Sequence, residues 1–165
     1  MAFDPARRGL FRGRPAPGPA PVRPPWAATA SFTDRCTRCH ACIEACPERI
    51  VRSGDGGFPV IDFRLGACTF CGACAAACPE PLFDLTLTPP WRLAAGVGES
   101  CLAAGGIVCE SCRDACDARA IRFVRGAGRV PVPEVLSGLC TGCGACVAVC
   151  PTAAITVAAG MADAG

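Results

Sequence analysis

The sequence predicts an α+β fold, two small modules in tandem after an extended N-terminal arm, and three observations lead there. All sixteen cysteines fall into four short runs along 165 residues. Between the first and second runs, and again between the third and fourth, two apolar stretches flank a glycine-rich turn, the pattern of a β-hairpin. Between the second and third runs Pro89-Pro90 interrupts any hairpin, and the chain divides there.

The last run, Cys140, Cys143, Cys146 and Cys150 followed by Pro151, reads C-x2-C-x2-C-x3-C-P, the spacing by which bacterial-type ferredoxins hold 4Fe-4S clusters. Three closely spaced thiolates wrap one corner of a cubane, and the fourth is aimed at a neighbouring cluster. The same run occurs at Cys36, Cys39, Cys42, Cys46 and at Cys68, Cys71, Cys74, Cys78, each closed by proline, with an altered copy at Cys101, Cys109, Cys112, Cys116. Two tandem bacterial-type ferredoxin-like domains and four 4Fe-4S clusters are therefore expected, with all sixteen cysteines as iron ligands. On tandem pairing, Cys36, Cys39 and Cys42 share a cluster with Cys78, and Cys68, Cys71 and Cys74 with Cys46. In the second domain Cys101, Cys109 and Cys112 go with Cys150, and Cys140, Cys143 and Cys146 with Cys116. A nested pairing, first run with fourth and second with third, is the alternative.

The third run departs from the rule twice. Seven residues, Leu102 to Val108, separate its first two cysteines, and Asp117 replaces the proline. The loop contains Gly105-Gly106, so Cys101 can still return to the cluster; looser packing, greater solvent access and a lower potential are expected there. In the second run Gly72, Ala73, Ala75, Ala76 and Ala77 are small because backbone N–H groups must approach cluster sulfurs closely.

Composition agrees. The 52% hydrophobic fraction is largely Ala and Cys with no Tyr, so side chains alone build a thin core and clusters must staple it. Cysteines three apart in a tight turn are poorly placed to pair as disulfides, and three evenly spaced cysteines plus a C-P fit a cubane better than a zinc ribbon. Thiolate-rich sites imply a reducing compartment, so the cytoplasm is the expected location. The formal charge of +2 falls to about −6 if four oxidised clusters each contribute about −2. Residues 1–35 hold six Arg against Asp4 and Asp34, whereas the remainder holds ten Arg and twelve acids. A basic arm is joined to an acidic body.

Taken in order, residues 1–30 carry seven of the sixteen prolines and no periodic apolar face, and are expected to be extended or disordered. Arg7-Arg8 lacks the apolar segment of an export signal. The arm is either a solvated basic tail or a docking arm in which Arg7 and Arg8 meet carboxylates and Trp26 anchors on a partner. Residues 31–88 form the first domain. His40 lies between ligands of a complete quartet and is taken as a surface residue beside the cluster. Ile50-Val51 and Phe58 to Asp62 flank the first glycine turn. Residues 96–157 form the second domain, in which Ile121 to Val124 and Val130 to Val132 flank the second turn. Residues 158–165 are a tail. The uncharged stretch from Leu136 to Ala162 is long enough to span a membrane, but its four cysteines and Pro151 must fold around metal, so no span is expected.

Other chemistry is missing. A chain without lysine holds no Walker lysine, and no G-x-G-x-x-G opens a helix, so no nucleotide or flavin site is expected. One histidine and no nucleophile–base set argue against an enzyme, and no catalytic residue is nominated. No nucleic-acid partner is expected.

The residues resemble the NapF family of ferredoxin-type accessory proteins of periplasmic nitrate reductase systems. The likeness lies in Arg7-Arg8-Gly9, Arg23-Pro24-Pro25-Trp26, the Cys-Thr-Arg-Cys opening at Cys36, the four runs, and above all Cys101-Leu-Ala with its seven-residue gap. The resemblance implies a cytoplasmic protein that binds the molybdenum-containing catalytic subunit before its export and assists its maturation.

Overall fold

A computed structural model describes residues 20–28, 31–126 and 128–159. Its helices are single turns: α1 (Phe32–Arg35), α2 (Ala41–Glu44), α3 (Ala73–Ala76), α4 (Ser111–Asp114) and α5 (Ala145–Ala148). Four-residue helices do not persist alone, because nucleation is unfavourable and few bonds follow it. The last four are held by what they bury, since each has one buried residue, the third cysteine of its run: Cys42, Cys74, Cys112 and Cys146.

The two expected hairpins form. Strand β1 (Val51–Ser53) pairs antiparallel with β2 (Pro59–Ile61), setting buried Val51 opposite buried Ile61 around the turn at Asp55–Gly57. Farther along, β4 (Ile121–Val124) pairs with β5 (Val132–Val135), Ile121 opposite Val135. A third antiparallel pair has no counterpart in the expectations: β3 (Leu93–Val97) lies along β6 (Ile155–Ala159), Val97 opposite Ile155. The second module thus begins before residue 96, and Ala158 and Ala159 belong to a strand, not to the tail.

The first module repeats this plan in reduced form, which corrects the expected loose arm for residues 20–28. Ala27 bridges Phe83, the Ala28 N–H donates to Leu82 O at 2.9 Å and the Asp84 N–H to Trp26 O at 2.9 Å. Here too, the segment before the first run pairs with the segment after the second. Val22 O accepts from Ile61 N, Arg23 Nη1 donates to Pro59 O, the Arg23 guanidinium stacks on Phe32 and Phe58, and Pro25 is fully buried. Residues 1–19, with Arg7 and Arg8, lie outside the described residues.

Four of the fifteen buried apolar residues among those described are cysteines, so the apolar core is as thin as the composition implied. One cluster centres on Ile50, Val51, Ile61 and Phe63 with Cys42 and Cys74; another centres on Ile121 and Ile155 with Cys112 and Cys146. They are continuous. Trp91, Leu93, Val147 and Val157 of the second half pack on the first cluster, and Val147 also packs on the second. Burying Phe63 at this joint contributes about 2–3 kcal/mol by area removed from water.

Candidate metal centres

The turns α2 to α5 each place a cysteine at the wall of a small cavity, and four such cavities are each lined by four cysteines. Site 1 has Cys36, Cys39, Cys42 and Cys78; site 2 has Cys68, Cys71, Cys74 and Cys46. Site 3 has Cys101, Cys109, Cys112 and Cys150; site 4 has Cys140, Cys143, Cys146 and Cys116. The cysteines lining each cavity are grouped as in the tandem pairing and not as in the nested one. Cys46 and Cys116 cross over because the hairpin following each returns the chain to its partner run.

The loops are shaped by left-handed residues at repeat-equivalent places. Arg38, Phe70 and Gly142, each just before a second cysteine, have φ of 59°, 54° and 72°; His40, Gly72 and Gly144, each just after it, have 66°, 75° and 83°. Arg49, Arg119 and Ala153, three residues beyond a fourth cysteine, lie at 54°, 51° and 50°. Non-glycine residues in this region are held there by surrounding structure at a cost of order 1–3 kcal/mol, and such strain gathers at functional loops. His40 is secured by its Nε2, 3.2 Å from Gly57 O, and so has a local structural role beside site 1. No simple sequence signal marks these positions when arginine, phenylalanine and histidine occupy them.

The third run breaks this pattern, since Glu110 has φ −127°. Its long loop is nonetheless bonded: Gly105 N–H donates to Cys101 O, Gly106 N–H to Ala103 O and Ile107 N–H to Leu102 O, while Ala103 is buried. The exposed cysteines are Cys39 and Cys71, in regular runs; Cys101 and Cys109 are half-buried. The expectation of a wetter third site is therefore corrected: the extra residues close into a hydrogen-bonded turn, and Cys101 and Cys109 are no more exposed than the matching cysteines of the regular runs. Ile107 and Val108 stand exposed on it.

The sulfurs are set for anionic use. Ala120 N–H and Ala154 N–H approach Cys116 Sγ and Cys150 Sγ at 3.3 and 3.2 Å, four residues after each. Ala95 N–H, on β3, reaches Cys140 Sγ at 3.5 Å. Burial, with neighbouring thiolates adding to it, pushes the Cys42 and Cys68 thiols up to about 11 and those of Cys74 and Cys146 up to about 12. At Cys150 burial also raises the pKa, but the N–H groups of Thr152 and Ala154 outweigh it and the net shift is downward. These buried thiols ionise reluctantly on their own, and a cationic core bound beside them would hold them as thiolates. No three His, Cys, Asp or Glu side chains among the described residues converge as ligands of a single ion. Each quartet could instead surround a polynuclear core, and the donor set of four thiolates with inward N–H groups fits a 4Fe-4S cluster.

Trp26 is half-buried in its own fold. Its backbone N–H donates to Pro90 O at 2.8 Å and its ring meets Phe70 edge-on, so the side chain packs within the module, and it lines an open groove with Phe70, Trp91 and Leu139. No helix among the described residues is long and apolar enough to cross a membrane.

Cysteine runs of this spacing on paired hairpins define a ferredoxin-type iron–sulfur protein. A family model for a 4Fe-4S dicluster domain matches residues 35–82, and one for a 4Fe-4S binding domain matches residues 133–156; the irregular third run falls outside both. The chain is 44% identical over 157 residues to the ferredoxin-type protein NapF of Escherichia coli (strain K12), covering 94% of this chain and 96% of that one. It is 47% identical over 137 residues to NapF of Haemophilus influenzae, covering 82% and 78%. It is 32% identical over 156 residues to the methylamine utilization ferredoxin-type protein MauM of Methylobacillus flagellatus, covering 83% and 67%. The chain belongs to the NapF family of ferredoxin-type proteins.

Proposed function

We propose that each quartet holds one 4Fe-4S cluster and that the chain is a cytoplasmic accessory protein. It docks on the catalytic subunit of a periplasmic nitrate reductase before export and assists its maturation. A bound cluster supplies one-electron chemistry; the chain's thiolates hold it, and their N–H partners tune it. The observation that carries the reading is NapF kinship across nearly the whole chain together with four complete quartets. Free thiolate sites favour a reducing compartment, in agreement with the cytoplasm.

Two measurements test it. Iron and acid-labile sulfide should each approach about sixteen atoms per chain after anaerobic reconstitution. The loaded protein should co-purify with the cytoplasmic precursor of the catalytic subunit, and absence of binding with or without clusters would remove the maturation role.

The kinship to MauM supports a second reading, an electron-transfer polyferredoxin serving another respiratory or biosynthetic reductase. Deleting residues 1–19 separates the two. The cut stops there because residues 20–28 pack on the first module. Under the maturation reading the truncated protein still reduces a small artificial acceptor but no longer activates nitrate reductase, with Arg7 and Arg8 as the docking residues lost.

A further inference from the structure

We propose that the two modules form one fixed electron path in the order site 1, site 2, site 4, site 3, bridged across the module boundary by Cys68 and Cys143. The inference rests on the four-cluster reading. Its starting point is a backbone hydrogen bond: the Cys68 N–H donates to the Cys143 carbonyl at 2.8 Å. Each residue is a ligand candidate, one in site 2 and one in site 4.

A second connection runs beside it. The ring of Phe70, which sits between Cys68 and Cys71, meets Trp91 edge-on at 5.4 Å, and Trp91 Nε1–H donates to Thr141 O at 2.8 Å, inside the site 4 loop. The joint is apolar and closely packed, with Phe63 against Trp91 and a Cβ on Gly144 placed 2.0 Å from the Phe63 ring. Within the modules, Cys42 and Cys74 share one core cluster and Cys112 and Cys146 the other, which sets site 1 beside site 2 and site 3 beside site 4.

Two modules on a slack linker would exchange electrons only on collision, whereas a bonded contact between ligand backbones keeps the gap constant. Each transfer is balanced by itself: one Fe(II) becomes Fe(III) at the giving site, one Fe(III) becomes Fe(II) at the receiving site, and no proton or bond changes. Sites 1 and 3 are the ends of the path, so a one-electron donor and its acceptor are served at opposite ends of the molecule.

The test is electron paramagnetic resonance of the anaerobically loaded full chain reduced with dithionite, with iron counted on the same samples. Iron near half of about sixteen atoms would overturn the four-cluster reading and the path with it. With full iron, the expected spectrum shows magnetic coupling across the joint; a spectrum equal to the sum of two independent coupled pairs would overturn the path alone. Phe63→Ala leaves every cysteine in place and should weaken the coupling between sites 2 and 4 without loss of iron. Cys71→Ser should leave site 1 magnetically isolated and the pair in sites 3 and 4 coupled, and a site 1 still coupled to the second module would overturn the order. Should that variant fail to load, the wild-type spectrum decides.

Discussion

Phe63 fills the space that a side chain on Gly144 would need: a Cβ added to the glycine would lie 2.0 Å from Phe63 Cδ1, and the glycine has φ +83°. Gly72, at the equivalent place in the second run, has φ +75° with nothing within 4 Å. The two positions therefore separate backbone strain from module contact. Gly72→Ala meets strain alone, about 1 kcal/mol. Gly144→Ala adds overpacking, for a total of about 3 kcal/mol. Under mild denaturant the visible absorbance of the loaded Gly144→Ala protein should bleach many times faster than that of Gly72→Ala. Equal rates would mean that Phe63 moves aside without loss.

His40 has the backbone of a glycine position, and its Nε2–H donates to Gly57 O. His40→Gly relieves about 1 kcal/mol of strain and loses an exposed hydrogen bond of similar worth, so melting should change little. His40→Val, β-branched at φ +66°, should lower stability by about 2 kcal/mol. A large loss of partner activation in a stable His40→Gly protein would instead assign the imidazole a functional proton.

Cys101 reaches site 3 from the far end of the bonded loop. Cys101→Ser is expected to remove the iron of that site, about four atoms per chain, while the other three sites stay loaded. Iron and sulfide analysis checks it, and undiminished iron would sink the ligand assignment.

Asp62 shapes the turn leading from β2 to Phe63. Its carboxylate accepts from Arg64 Nε and Nη2 at 2.8 and 2.7 Å and from the Arg64 N–H at 3.1 Å. The Arg64 side-chain bonds hold its pKa below the usual carboxylate range. A depressed folded-state pKa stabilises above the unfolded value, and that contribution is lost as pH falls from about 4 through the folded value. Because the Arg64 side chain is 81% exposed, solvent screens the pair and the effect is small. The stability difference between wild type and Asp62→Asn should be present at neutral pH and shrink in acid; a constant difference would deny the ionic origin.

The grouping of the cysteines and their local geometry were legible because C-x2-C-x2-C-x3-C is a short-range code: a cysteine three places on stays close to the first whatever the rest of the chain does. The hairpins were equally legible, since the glycines at 54, 56 and 57 and the apolar flanks at Val51 and Ile61 are near neighbours in sequence. That each fourth cysteine crosses to a partner run also follows from the motif, and the tandem choice from the hairpins on either side of Pro89-Pro90.

Tertiary structure alone decided the rest. Leu93–Val97 reads LAAGV, with little intrinsic strand preference, and becomes β3 only because β6 offers an edge about sixty residues later. Residues 20–28 carry proline and arginine in a pattern read as disorder, yet Pro25 and Arg23 find partners on β2 and Phe32 that no local signal announces. The Cys68–Cys143 bond and the Phe63–Gly144 contact join residues far apart in the chain, where association depends on shape and on closing a long loop rather than on residue type. Which cysteines gather together was written in the spacing; which site touches which was set by how the two modules pack.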